Sequence, residues 1–72
     1  MRGTVVEFDE LVGLGVIRTE PAGGGNAPTD YPFHCTRIAD GSRTVPVGAT
    51  VDFVLEVHPR GRLEGAAIRT AS

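Results

Sequence analysis

The chain contains no lysine and no tryptophan, a single cysteine, a single methionine, and only three phenylalanines and one tyrosine in 72 residues. Each shortage excludes something. One cysteine, Cys35, excludes a disulfide framework within the chain, so a small core has no covalent staple, and a lone thiol suits a reducing cytoplasm better than a secreted scaffold. Without lysine, the loop that cradles nucleotide phosphates cannot be completed, although Gly23-Gly24-Gly25 supplies three consecutive glycines. Such a loop also needs a following helix, and none is indicated after Gly25. No apolar run approaches the roughly 20 residues that cross a bilayer. Met1-Arg2-Gly3 leads straight into a candidate strand, without the basic-then-apolar pattern of a secretory leader. A cytoplasmic protein with no membrane association is expected.

Charge of one sign is also scarce. Seven arginines face nine carboxylates, for a formal charge of −2, whereas a phosphate-binding module usually shows a positive balance or a basic stripe. A chain this short buries only roughly 60% of the surface its unfolded form exposes, so one domain over residues 1–72 is expected, stable by only a few kcal/mol.

The apolar residues come in short runs separated by Gly, Pro and Asp, with no sustained helical period. Runs rich in β-branched and aromatic residues predict about five strands, at 4–8, 13–19, 31–35, 50–57 and 63–70. Closure of these into a small barrel would hide the strand edges. Residues 20–30, with Pro21, the triple glycine, Asn26 and Pro28, read as a surface loop. Asp40-Gly41 and His58-Pro59-Arg60-Gly61 read as turns. Val5, Ile17, Phe33, Val51, Phe53, Leu55 and Ile68 are the expected core. Gly13 and Gly15 read as positions of tight bending or close packing, and Pro32 places its strand at an edge or a bulge.

Catalytic and metal chemistry find little support. His34, Cys35 and His58 are three ligands where a structural zinc takes four, and adjacent strand residues such as His34 and Cys35 point to opposite faces. A nucleophile needs a base within hydrogen-bond reach and an orienting third group, and no spacing here provides them. No enzyme activity, metal or cofactor is expected.

Gly3-Thr4-Val5-Val6-Glu7-Phe8-Asp9, then Gly13-Leu14-Gly15-Val16-Ile17, then Asp30-Tyr31-Pro32-Phe33-His34-Cys35 resemble the spine of a bacterial cold-shock domain. Ile38, Asp40-Gly41, Gly48, Val51, Phe53 and the segment 65–68 extend the likeness over nearly the whole chain. The resemblance implies a five-stranded antiparallel barrel of the oligonucleotide-binding (OB) type, which binds single-stranded RNA or DNA on exposed aromatics. Those aromatics are mostly replaced. The family's Lys-Trp-Phe-Asn stands as Val6-Glu7-Phe8-Asp9, its Lys-Gly-Phe-Gly-Phe-Ile as Val12-Gly13-Leu14-Gly15-Val16-Ile17, and a surface tyrosine as Ser42. Strand alternation places Tyr31 and Phe33 in the phase of the family's core valines, with Pro32 and His34 facing outward.

Stacking contributes roughly 1–3 kcal/mol per base, so losing about five platforms removes a large part of the roughly 8 kcal/mol that micromolar binding represents. The resemblance therefore implies weak or altered binding of single-stranded RNA or DNA. Its candidate contacts are Phe8, Leu14, Val16, Arg18, His34, Arg37, Arg43 and Arg60, with Arg62 beside them. The competing expectation is a protein partner or a homodimer docking on the aliphatic face of Val6, Glu7, Val12, Leu14, Val16, Pro32 and His34.

Overall fold

The computed structural model describes residues 1–19, 28–39 and 41–71. Most of the expected 20–30 loop, its triple glycine included, lies outside these residues, as does Asp40 of the expected Asp40-Gly41 turn. Five strands form: β1 (Arg2–Asp9), β2 (Leu14–Thr19), β3 (Asp30–His34), β4 (Thr50–Val57) and β5 (Leu63–Thr70), with one 3-10 turn at Cys35–Arg37 after β3. The five expected strands are thus present with ends shifted by a residue or two. Gly13 falls in the β1–β2 turn and Cys35 begins the 3-10 turn.

All ladders are antiparallel, and the strands lie in the order β3-β2-β1-β4-β5. This order corrects the expected closed barrel. The sheet is open, with β3 and β5 as its outer strands and no ladder joining them among the described residues. Two local features oppose closure. Pro32 at the centre of β3 has no N–H to offer a second neighbour. The backbone of β5 is engaged by the segment after the 3-10 turn, where Ile38 bridges Ile68 and the Ala39 amide donates to the Ile68 carbonyl at 2.8 Å. Within the sheet, the ladder between β1 and β4 is short, joining Arg2, Gly3 and Thr4 to Asp52, Val51 and Thr50. The cold-shock and OB assignment that the sequence resemblance implied is not upheld.

The core is a single cluster of Val5, Ile17, Phe33, Ile38, Val45, Val51, Phe53 and Ile68, with Phe8, Tyr31, Cys35, Ala49 and Leu55 packed against it. Period-2 alternation accounts for its strand members, since residues two apart share a face. In β2, Gly15 and Ile17 point in while Leu14 and Val16 point out. A bulge interrupts this rhythm in β1, where the register shifts between Val5 and Glu7. Val6 is the extra residue, so Val5 and Phe8 both turn toward the core although three positions apart, and Glu7 and Asp9 turn outward. A second bulge lies in the β4–β5 ladder, with Ala67 at φ +50 opposite the shift between Asp52 and Val54.

The sequence reading of the core holds for Val5, Ile17, Phe33, Val51, Phe53 and Ile68, while Leu55 is half-buried. It missed Ile38 and Val45, which come from the segment between β3 and β4. Val45 is 4% exposed, yet its neighbours Thr44 and Pro46 give no alternation from which its burial could be read. Pro32 lies in an outer strand, as expected.

Candidate functional site

The outward face of β1–β3 is built by register. Glu7, Val16 and Pro32 form one cross-strand row, and Asp9, Leu14 and His34 form the next. Side chains in such rows stand about 5 Å apart across the strands and about 7 Å apart along them. The face therefore has an aliphatic middle, Leu14 and Val16 on β2, between two carboxylates on β1 and the Pro32–His34 pair on β3.

The β4–β5 turn rises beside this face and contributes His58 and Arg62, and the start of β5 contributes Glu64, leaving a groove of about 590 Å³. Val12 also lines it. Leu14 is 53% exposed and Val12 is 59% exposed. Next to them Leu11 is almost fully in solvent, at 97%. Asp9 fixes this apolar turn, because its Oδ1 accepts from the Leu11 amide at 2.9 Å and the Val12 amide at 3.4 Å. Each exposed aliphatic is ordinary singly, but a contiguous set held on a rigid sheet is not.

His34 is exposed at the edge of the groove, and its ring has a structural task. Its Nδ1 accepts from the Thr36 amide at 3.2 Å and lies 2.9 Å from the Thr36 hydroxyl, capping the 3-10 turn. Gly13 sits behind it at φ +72, and a Cβ there would come within 2.6 Å of Cys35 Sγ. The sequence expectation of a tight position at Gly13 is met by this turn.

Of the other expected contacts, Arg18 continues the same outward face one row beyond Val16 and Pro32, and the rest are dispersed. Phe8 is half-buried, its ring parallel to Phe33 at a centroid distance of 5.9 Å, so it is packed and presents no platform in the groove. Arg18 is held by Asp30 through Nε at 2.9 Å and Nη2 at 3.2 Å. This hydrogen-bonded pair holds the Asp30 carboxyl below its usual range and raises the Arg18 guanidinium above its own. Arg37 pairs with Glu56 at 3.3 Å. Arg2 pairs with Asp52 at 3.0 Å, which lowers the Asp52 carboxyl in the same way. These side chains are half-exposed, but their charge is spent on internal carboxylates. Arg43 lies in the 41–49 segment and Arg60 in the β4–β5 turn, away from one another along the chain.

The structure therefore brings together Leu14, Val16, His34 and Arg62, and leaves Phe8, Arg18, Arg37, Arg43 and Arg60 outside the groove. Among the described residues no basic track follows the groove, whose lining carries Glu7, Asp9 and Glu64 against the guanidinium of Arg62. Phosphates bind where positive charge is concentrated, and this face concentrates the opposite sign. Engaged arginines and an acidic rim overturn the expectation of single-stranded RNA or DNA binding. Sequence reasoning missed the contribution of Asp9, His58 and Glu64. Asp9 could have been found from its Glu7–Asp9 phase, whereas the approach of the β4–β5 turn is a tertiary effect with no local signal.

Among the described residues, no three His, Cys, Asp or Glu side chains are grouped to hold a metal ion. No helix among them is long and apolar enough to cross a membrane. No family model and no curated protein matches the chain, so the cold-shock likeness finds no support there either.

Proposed function

We propose that this protein is a non-catalytic protein-interaction module, with the outward face of β1–β3 as its contact surface. The observation that carries the reading is the contiguous aliphatic strip of Leu14, Val16 and Pro32, adjacent through the β2–β3 ladder and open to the groove. Leaving such a strip in water forgoes roughly 25 cal/mol for every Å² of apolar area, which a docked partner recovers. The sheet supports it rigidly, because Gly15 and Ile17 on the opposite face of β2 are buried. A reducing, cytoplasmic setting fits the lone, partly exposed Cys35.

Selection of a displayed random-peptide library on the wild-type protein tests the reading, with a Leu14→Asp, Val16→Asp variant of unchanged melting temperature as the comparison. Enriched peptides that bind the wild type and lose at least about tenfold on the variant support a contact on this face. Failure to enrich any peptide, or equal binding to both proteins, overturns it.

A further inference from the structure

We infer that the groove takes an extended peptide segment in which one or two aliphatic side chains are flanked by lysine or arginine. The inference rests on the interaction reading and adds to it the chemistry of the partner.

The dimensions come first. The aliphatic floor is two residues long on β2 and reaches one strand across to Pro32 on β3, which is about 7 Å by about 5 Å. That area covers one or two Leu- or Val-sized side chains, not a helix face with anchors over two or three turns. An extended chain places alternate side chains about 7 Å apart on one side, the same spacing as Leu14 and Val16. Contact areas of this order belong to weak, transient encounters.

The charges decide the flanks. Glu7 and Asp9 border the floor on the β1 side, and Glu64 borders it from the start of β5. Among the described residues that line the groove Arg62 is the one formal cation, giving a local charge of about −2, with Arg60 beside Arg62 and Glu64 in the adjoining pocket. Asp9 already accepts two backbone amides, but those bonds use only Oδ1. Glu7 and Glu64 form no salt bridge with a described residue, although the charge of Glu7 helps to raise the Arg18 guanidinium. A cationic flank on either side of an aliphatic residue meets these carboxylates while its apolar neighbour meets Leu14 and Val16. Complementary charge of this kind raises the encounter rate and rejects wrong partners. A second copy of the chain is a poorer occupant, because it brings the same acidic rim against this one. An acidic peptide is rejected for the same reason.

Fluorescence anisotropy with three labelled octapeptides tests the inference. All share a central Leu-Val-Pro-Leu segment, and they differ in their two-residue flanks, which are Lys-Arg, Ser-Gly or Glu-Asp. The Lys-Arg peptide is expected to bind about tenfold or more tightly than the Glu-Asp peptide at low salt, with the difference shrinking as salt rises. The Glu7→Gln, Glu64→Gln variant should lose most of that preference while still binding the Ser-Gly peptide. Equal binding of all three peptides, with loss on Leu14→Asp, overturns the charge inference and leaves the interaction reading standing. No binding of any peptide, or binding that Leu14→Asp leaves unchanged, overturns both. A concentration-dependent dimer in sedimentation that Leu14→Asp dissolves assigns the face to a second copy and overturns the inference.

Discussion

Replacing Gly15 by alanine tests the packing that presents the outward face. An added Cβ at Gly15 would lie 2.4 Å from Phe33 Cζ, 2.5 Å from Phe33 Cε1 and 2.8 Å from the Glu7 carbonyl oxygen. Ordinary contact begins near 3.4 Å, so the Phe33 ring edge must retreat by about an ångström or the β1–β2 ladder must open. Neither is easy. Phe33 is 1% exposed and its ring is stacked on Phe8, while the Glu7 oxygen belongs to the backbone beside the bulge. Overpacking costs about 1–3 kcal/mol, and the gain from replacing glycine inside a strand offsets roughly 0.5–1 kcal/mol of it. A net loss of about 1–2 kcal/mol is expected. In a domain of this size each kcal/mol moves the melting temperature by roughly 4–8 °C, so Gly15→Ala should lower it by roughly 4–16 °C. Thermal and urea denaturation followed by circular dichroism read this directly. A Phe33→Leu partner change removes the ring edge, so the double variant should be less destabilised than the sum of the singles, with a coupling of at least about 0.5 kcal/mol. A Gly15→Ala change within about 0.3 kcal/mol of wild type, or strict additivity, would refute the reasoning.

Three further outcomes are expected. Ala67 occupies a left-handed conformation at φ +50, which costs a non-glycine residue about 1–2 kcal/mol. Ala67→Gly should therefore raise the urea midpoint by the equivalent of about 0.5–1 kcal/mol after glycine's own entropy, and a lowered midpoint would show that the bulge is unstrained. Val45→Ala removes buried methyl groups and should cost about 1–2 kcal/mol. Val47→Ala, at a position 60% exposed, should stay within about 0.5 kcal/mol, and equal effects in chemical denaturation would contradict the role of the 41–49 segment in sealing the core. Asp30 and Asp52 have lowered carboxyl values through Arg18 and Arg2. Their contribution is present above the ordinary aspartate value of 3.8 and is lost as pH falls below it through the lowered folded values. Both pairs are exposed and screened, so the effect is small. Urea midpoints between about pH 6 and pH 3 should fall less for the Asp30→Asn, Asp52→Asn variant than for wild type, and parallel curves would remove the pairs from the account.

Local signals carried much of the fold. Alternation in β2 and β4, with Gly and Pro between the runs, located all five strands, and the missing donor of Pro32 placed β3 at an edge or a bulge. Closure was not legible, because it depends on how many ladder bonds two distant strands can make. The engagement of β5 by Ile38 and Ala39 is a property of the assembled sheet. Even the bulge at Val6 escaped a strict period of two, although it decides that Phe8 turns inward. The face itself was half legible. Leu14, Val16, Pro32 and His34 followed from alternation and do share one surface. The fate of the arginines did not follow, because Arg18 meets Asp30 through the β2–β3 register and Arg37 meets Glu56 across the fold. A count of basic residues says nothing about which carboxylate each one finds.

On the proposed reading, the Leu14–Val16–Pro32 strip is the working surface. Amide chemical shifts of the isotope-labelled protein, recorded while the Lys-Arg-flanked peptide is added, test it most directly. Saturable shifts are expected to concentrate on Leu14, Gly15, Val16, Phe33, His34, Arg62 and Glu64, and to vanish in the Leu14→Asp variant. Shifts confined to other surfaces, or no shifts up to millimolar peptide, would contradict it.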